Sequence, residues 1–307
     1  MNNSYNKALY LSGDGGDIKL MTTKQSKETK AFENPFAYLA FINNVTSKFR
    51  YIRDKHTEEF LATVLVTSKN RETSFRKDME LWRAQLGAVK IGSIKDLSGQ
   101  NRFLEYLPYP PQRMKPLVNS AKEGRANPKG IPYLYLATEK QTAIQEIRPW
   151  LGSLVSVAQF KVVRDLKVID CSKNIHRLDG TSSDRFLIDL KNWEEGKLSN
   201  RELEEYQWSW IDRSFSEPVD PSDDKAEYVP TQILAELFRS EGYDGIIYNS
   251  LFAKGKNLVL FDIGSAEPID CKLYKVTNLP PFEFQELFIP PILLQRQRDN
   301  ANKSKIR

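Results

Sequence analysis

An α+β protein with a helical opening is the fold class that three features of the chain predict. Residues 31–77 carry apolar side chains at three- and four-residue spacing, the following residues carry short β-prone runs bounded by Gly and Pro, and further helical segments lie between those runs. No internal repeat replaces this order.

Residues 1–30 are polar and rich in Lys, Thr and Ser, with no hydrophobic period, so they read as a mobile arm that buries little. In the helical unit that follows, Asn34 before Pro35 suits a cap and first-turn pair, and Leu39, Ile42, Val45, Phe49 and Ile52 form the expected buried stripe. A second helix is expected to start at Thr57, ahead of Glu58 and Glu59, with Phe60, Leu61, Val64 and Leu65 inward. Leu81 to Leu86 reads as a strand with Arg83 and Gln85 on one face, and the prolines of Tyr106 to Met114 predict a long loop. Tyr133 to Leu136 is a further strand, followed by a helix from Thr138 carrying Ala143, Glu146 and Ile147. Leu154 to Phe160 and Leu166 to Ile169 are β-prone. Residues 184–240 read as mostly helical, interrupted by an acidic loop at Pro218 and Pro221 and closed by Gly242. Gly245 to Tyr248 and Asn257 to Phe261 then predict a hairpin around Gly255, before a basic tail from Arg296 to Arg307. The resulting boundaries are an arm at 1–30, a helical unit at 31–77, a mixed domain at 78–275 and an extension at 276–307.

Composition narrows the function. The chain has 307 residues, 40% hydrophobic and 28% charged, with mean hydropathy −0.52, which excludes wholesale disorder and low-complexity classes. Uninterrupted apolar stretches fall short of the ~18 residues of a membrane span, and the polar start lacks the pattern of a secretory signal, so the cytoplasm is the expected location and no membrane partner is expected. Lys and Arg exceed Asp and Glu by 45 − 40 = +5, a bias that solvated side chains explain, and basic residues do not interleave with aromatics as nucleic-acid binding requires. Two cysteines, Cys171 and Cys271, and two histidines, His56 and His176, leave neither a disulfide scaffold nor a three-His metal centre, so no metal is expected. Trp150, Trp193, Trp208 and Trp210 read as core or interface aromatics rather than ligand stackers.

The segment Gly124-Arg125-Ala126-Asn127-Pro128-Lys129-Gly130, followed by Tyr135 and Glu146, has the residue types of a site. Glycines permit close backbone approach and Asn-Pro shapes a turn, so Arg125 is presented on a formed loop, where its planar fork suits phosphate oxygens. On spacing alone, a surface loop with an ion pair explains the segment more simply.

Other segments change that balance. Leu81-Trp82-Arg83-Ala84-Gln85, the 124–137 segment, Glu146, Tyr228-Val229-Pro230-Thr231-Gln232, the run Gly242 to Ser250 and Asn257-Leu258-Val259-Leu260-Phe261 occur in an order that resembles the bacterial RES-domain family over about residues 79–265. That resemblance implies an ADP-ribosyltransferase-like mixed sheet with surrounding helices, and an enzyme that cleaves the nicotinamide–ribose bond of NAD+. It implies phosphorolysis to nicotinamide and ADP-ribose-1″-phosphate, with NAD+ and inorganic phosphate as substrates and no resident cofactor, in a toxin or defence effector. An antitoxin or inhibitor protein is the implied partner, and the extra N-terminal helices leave gating or self-association into a homo-oligomer open. Hydrolysis, ADP-ribose transfer to a macromolecule, and non-catalytic nucleotide binding are the alternatives. Carried over residue by residue, the resemblance places Arg125, Tyr135, Glu146 and Ser250 at the reacting centre and Arg83, Gln85, Asn127 and Gln232 along the dinucleotide.

Overall fold

The computed structural model describes residues 31–95, 98, 99, 101–118, 120–173, 191, 193–217 and 225–278. The arm at 1–30, His176, the acidic loop at Pro218 and Pro221, and the C-terminal tail lie outside these residues.

Helix α1 (Ala37–Ser47) and α2 (Lys55–Ser68) open the chain. The first helix begins later and ends earlier than its periodicity predicts. Asn34 Oδ1 accepts from Phe36 N at 2.9 Å, folding the chain into a turn ahead of the helix, and the inward face is Tyr38, Phe41 and Val45 while Phe49 and Ile52 are exposed. The second helix starts before Thr57 because Asp54 supplies the cap: its Oδ1 accepts from Thr57 N at 2.8 Å, and its Oδ2 accepts from Asn44 Nδ2 at 2.9 Å, pinning the corner between the helices.

Ten strands follow. β1 (Glu72–Phe75), β2 (Glu80–Leu86), β5 (Leu134–Ala137), β6 (Leu154–Val162), β7 (Leu166–Asp170), β8 (Gly245–Asn249), β9 (Lys256–Leu260) and β10 (Ala266–Lys275) form one eight-stranded sheet in the order β1-β7-β8-β9-β5-β2-β6-β10. The β7–β8 pair is parallel and the others are antiparallel, so the sheet is mixed and the chain is α+β, as the sequence predicts. β8 and β9 are the expected hairpin partners. β1 and β10 were not evident from the sequence because their burial does not follow a clean two-residue alternation. A separate hairpin, β3 (Val89–Lys95) with β4 (Asn101–Leu107), occupies part of the stretch expected to be loop, so Tyr106 and Leu107 end a strand. Gly92 stands at φ 65° within β3, and the strand's described side chains are exposed, so it offers no alternation to read.

Among the described residues, helices α3 (Lys140–Glu146), α4 (Asn200–Ser216) and α5 (Val229–Ser240) cover the sheet. α3 starts two residues after Thr138, because Thr138 is spent on the sheet, where its Oγ1 accepts from Lys256 N at 2.9 Å. Successive residues of the central strands point to opposite faces. Ile169, Ile246 and Val259 meet α1, α2, α4 and α5, whereas Val168, Ile247, Leu258 and Leu260 pack on the far side with Leu81, Met114 and Phe160. A smaller cluster sets α3 on Ala84, Ala137, Val155 and Val157. Trp208 is fully buried and donates from Nε1 to Thr67 Oγ1 at 3.0 Å, while Trp150 is 77% exposed.

The opening helices thus share one core with the sheet, and Phe41 stacks on Phe60 at 4.7 Å between ring centroids. Phe41→Ala is expected to cost about 3–5 kcal/mol in a single transition seen alike by far-ultraviolet and near-ultraviolet dichroism. An early helical transition with an unchanged main one would make residues 31–77 an independent unit.

Candidate active site

The sheet is narrowest in hydrogen bonding at its middle, where β2 and β5 share one register pair, Trp82 with Ala137, and then part. Arg83 lies beside that opening. Its Nη1 donates to the Tyr135 backbone oxygen at 3.0 Å, its buried Nε has no partner among the described residues, and no carboxylate pairs with it there. Burial pushes this guanidinium down to about 10, which still leaves it charged at neutral pH.

The 124–131 loop closes over the next stretch of β5. Asn127, buried, donates from Nδ2 to the backbone oxygens of Lys122 at 2.9 Å and Ile131 at 2.8 Å, and its Oδ1 accepts from the Tyr135 hydroxyl at 2.7 Å. The same hydroxyl accepts from Ala126 N at 3.0 Å, and burial pushes the phenol pKa well up, so Tyr135 is held as a neutral strut under the loop. Gly124 is required here, since a Cβ would stand 2.6 Å from that hydroxyl and 2.8 Å from Asn127 Oδ1. From α5, Gln232 Nε2 donates to Gly124 O at 3.0 Å and Asn127 O at 3.2 Å. Thr231 Oγ1 donates to Arg125 O at 2.5 Å. Arg125 itself donates from Nη1 to Phe215 O at 2.6 Å, at the end of α4, and has no carboxylate partner among the described residues.

Glu146 is the last residue of α3, aimed at the β8–β9 edge. Its Oε1 accepts from Ser250 Oγ at 2.7 Å and from Asn257 Nδ2 at 2.6 Å, while Oε2 accepts from no described residue. Ser250 is 1% exposed and its Oγ also accepts from Phe252 N at 3.2 Å. Tyr248, the register partner of Asn257, lies within electrostatic reach of Tyr135, Arg125 and Glu146, and burial pushes its phenol pKa strongly upward.

The structure therefore gathers Arg125, Tyr135, Glu146 and Ser250 around Tyr248, with Arg83 against Tyr135. Asn127 and Gln232 shape the loop that presents Arg125. Gln85 gives its Nε2 to Arg113 O at 3.1 Å, farther along β2. Asn257 and Tyr248 are site residues that sequence reasoning passed over. Both lie inside strands already recognised, and aligning the hairpin would have set them opposite each other on one face. Among the described residues, no group of three or more His, Cys, Asp or Glu side chains could hold a metal ion.

Fold and site together define an α+β protein whose mixed sheet carries, among the described residues, two arginines without acidic partners and a carboxylate bound through one oxygen. The RES domain model matches residues 104–280, more than half of the chain, and the chain belongs to the RES-domain family. That span contains Arg125, Tyr135, Glu146 and Ser250, and Arg83 precedes it. No curated protein matches. A solved structure, the M. tuberculosis MbcT–MbcA toxin–antitoxin complex, has a chain similar to this one at 12% identity, with 70% of this chain and 92% of that chain covered and a TM-score of 0.33. No helix among the described residues is long and apolar enough to cross a membrane.

The crowding at Gly124 makes a testable pair. Gly124→Ala is expected to destabilise the protein by about 1–3 kcal/mol, and Tyr135→Phe, which removes the obstructing hydroxyl, is expected to recover part of that loss in the double variant. Strictly additive losses in urea denaturation would show that the two groups do not meet.

Proposed function

We propose that the chain is an enzyme that cleaves the nicotinamide–ribose bond of NAD+, with inorganic phosphate as acceptor, and that it serves as a toxin or defence effector. Membership of the RES-domain family supports action on NAD+. The observation that carries the rest is the carboxylate of Glu146, fixed through one oxygen by Ser250 and Asn257 with the other oxygen unengaged by described residues; Arg125 shares its electrostatic surroundings at Tyr248, Arg83 lies against Tyr135, and neither arginine has an acidic partner among the described residues.

Each part has a chemical use. Arg83 and Arg125 supply positive charge toward the diphosphate of the dinucleotide, and an anion there relieves the cost of burying Arg83 without a counter-charge. Rupture of the C1″–N bond sends its electron pair to the nicotinamide ring, which leaves neutral, so no acid is required. The ribose left behind carries oxocarbenium character. Glu146 opposes that charge and accepts from a ribose hydroxyl through Oε2, while its two fixed donors keep it aimed. An oxygen of phosphate then supplies the electron pair of the new bond to C1″. Ser250 has no histidine partner in this arrangement and is read as an orienting donor, not a nucleophile.

Purified protein incubated with NAD+, with and without phosphate, is expected to yield nicotinamide and ADP-ribose-1″-phosphate only when phosphate is present, as read by mass. ADP-ribose under both conditions would make it a glycohydrolase, and intact NAD+ under both would refute turnover of the free dinucleotide. Glu146→Gln is expected to lower kcat by about 100-fold or more in a folded protein. Arg83→Met is expected to weaken NAD+ binding by about 10-fold or more while leaving the thermal midpoint equal or higher, because a buried unpaired charge is removed. A lowered midpoint with unaltered binding would sink the arginine's assignment.

A further inference from the structure

Ser250 reaches Glu146 from the first residue beyond β8, where a strand ordinarily frays, yet its hydroxyl is 1% exposed and set to hydrogen-bonding distance. The residue before it explains how. Asn249 is held from α4 on both sides of its backbone and through its side chain. Asp212 Oδ1 accepts from Asn249 N at 3.0 Å, Asp212 Oδ2 accepts from Asn249 Nδ2 at 2.8 Å, and one turn later Ser216 Oγ donates to Asn249 O at 2.8 Å.

Asp212 is an expensive way to dock a helix. It is 6% exposed, and no ion pair joins it among the described residues. Of the charged groups facing it, Asp170 opposes its ionisation and Lys256 favours it, with Lys256 Nζ itself bound to Asp170 Oδ2 at 3.0 Å. An apolar residue would pack the same helix without a buried carboxylate. What the carboxylate adds is two directed acceptors on one residue, the residue that carries Ser250. The same stretch of α4 offers Phe215 O to Arg125, so it sets both the cation and the hydroxyl of the cleft.

We infer that Asp212 is a positioning residue, acting through Asn249 to hold Ser250 where its hydroxyl aims the Glu146 carboxylate. The inference rests on the reading of Glu146 as the group beside the reacting ribose. Asp212 itself touches neither Glu146 nor either arginine, so its removal alters the chemical step and spares dinucleotide binding.

The test compares Asp212→Ala, Asp212→Asn and the exchange Asp212→Asn with Asn249→Asp, each checked for folding by dichroism. In Asp212→Ala, kcat for NAD+ loss is expected to fall about 10- to 100-fold while KM changes by less than about 3-fold. Asp212→Asn is expected to recover most of kcat, since its oxygen takes the Asn249 N–H and the Asn249 amide, turned over, accepts from the new amide. The exchange variant is expected to recover likewise, because it restores a carboxylate–amide pair. A folded Asp212→Ala with wild-type kcat overturns the inference, as does a loss that neither neutral rescue restores. Should Asp212→Ala not fold, Asn249→Ala removes only the side-chain half of the clasp, and wild-type kcat there overturns it too. If the wild-type protein leaves NAD+ intact, the parent reading has failed, and the crystal structure of Asp212→Asn beside that of Asn249→Ala decides the positioning claim alone: Ser250 Oγ still 2.7 Å from Glu146 Oε1 in the latter refutes it.

Discussion

A carboxylate at the end of a helix swings freely unless something outside the helix takes hold of it, and in this protein that hold comes from the β8–β9 hairpin in the middle of the sheet. Ser250 and Asn257 both donate to one oxygen of Glu146, from positions just after β8 and at the start of β9. The contact joins α3 to a hairpin more than a hundred residues away in sequence, so it exists only once β5 has paired with β9 and β9 with β8. Thr138 serves the same end by tying the chain ahead of α3 to Lys256, one residue before Asn257. The site is thus assembled by sheet pairing, and helix α3 is aimed by it.

Around that contact the protein accepts costs that a purely structural core would avoid. Among the described residues Arg83 is buried with no acid paired to it and Asp212 with no ion pair, and Gly124 leaves no room for a side chain at the point where the loop meets Tyr135. Each cost sits next to a group that chemistry on a diphosphate-bearing substrate would need fixed. Stability comes instead from the two faces of the sheet and from α1 and α2, which join the same apolar cluster as α4 and α5. Gln207 binds α4 to the opening helix in both directions, accepting from Tyr38 N at 2.9 Å and donating to Asn34 O at 3.1 Å. The N-terminal helices therefore brace the helix that braces the cleft.

Much of this architecture was legible in the chain. Strands such as Leu154–Val162 and Leu166–Asp170 declare themselves by composition, and α2 and α5 by spacing, because burial on one face imposes a period that survives in the residue order. Errors fell where another force sets the boundary. Asp54 and Asn34 move the starts of two helices through side-chain hydrogen bonds, and the β3–β4 hairpin is too exposed to carry a pattern. The ordered motifs around Arg125, Glu146 and Ser250 pointed to the family, since such segments depend on residue identity, which a sequence records directly.

By itself, then, the sequence determined the fold class, the family and the residues with chemical reach, because hydrophobic period and residue identity are local properties of a chain. Only the tertiary structure decided what those residues do to one another. That Asn127 and Gln232 spend their amides on the loop, that Tyr135 is a strut through its hydroxyl, and that Asn257 shares Glu146 with Ser250 are consequences of strand register and helix docking. The bonds from Gln232 and Asn257 cross 108 and 111 residues of chain, and no local pattern encodes which donor will find which acceptor.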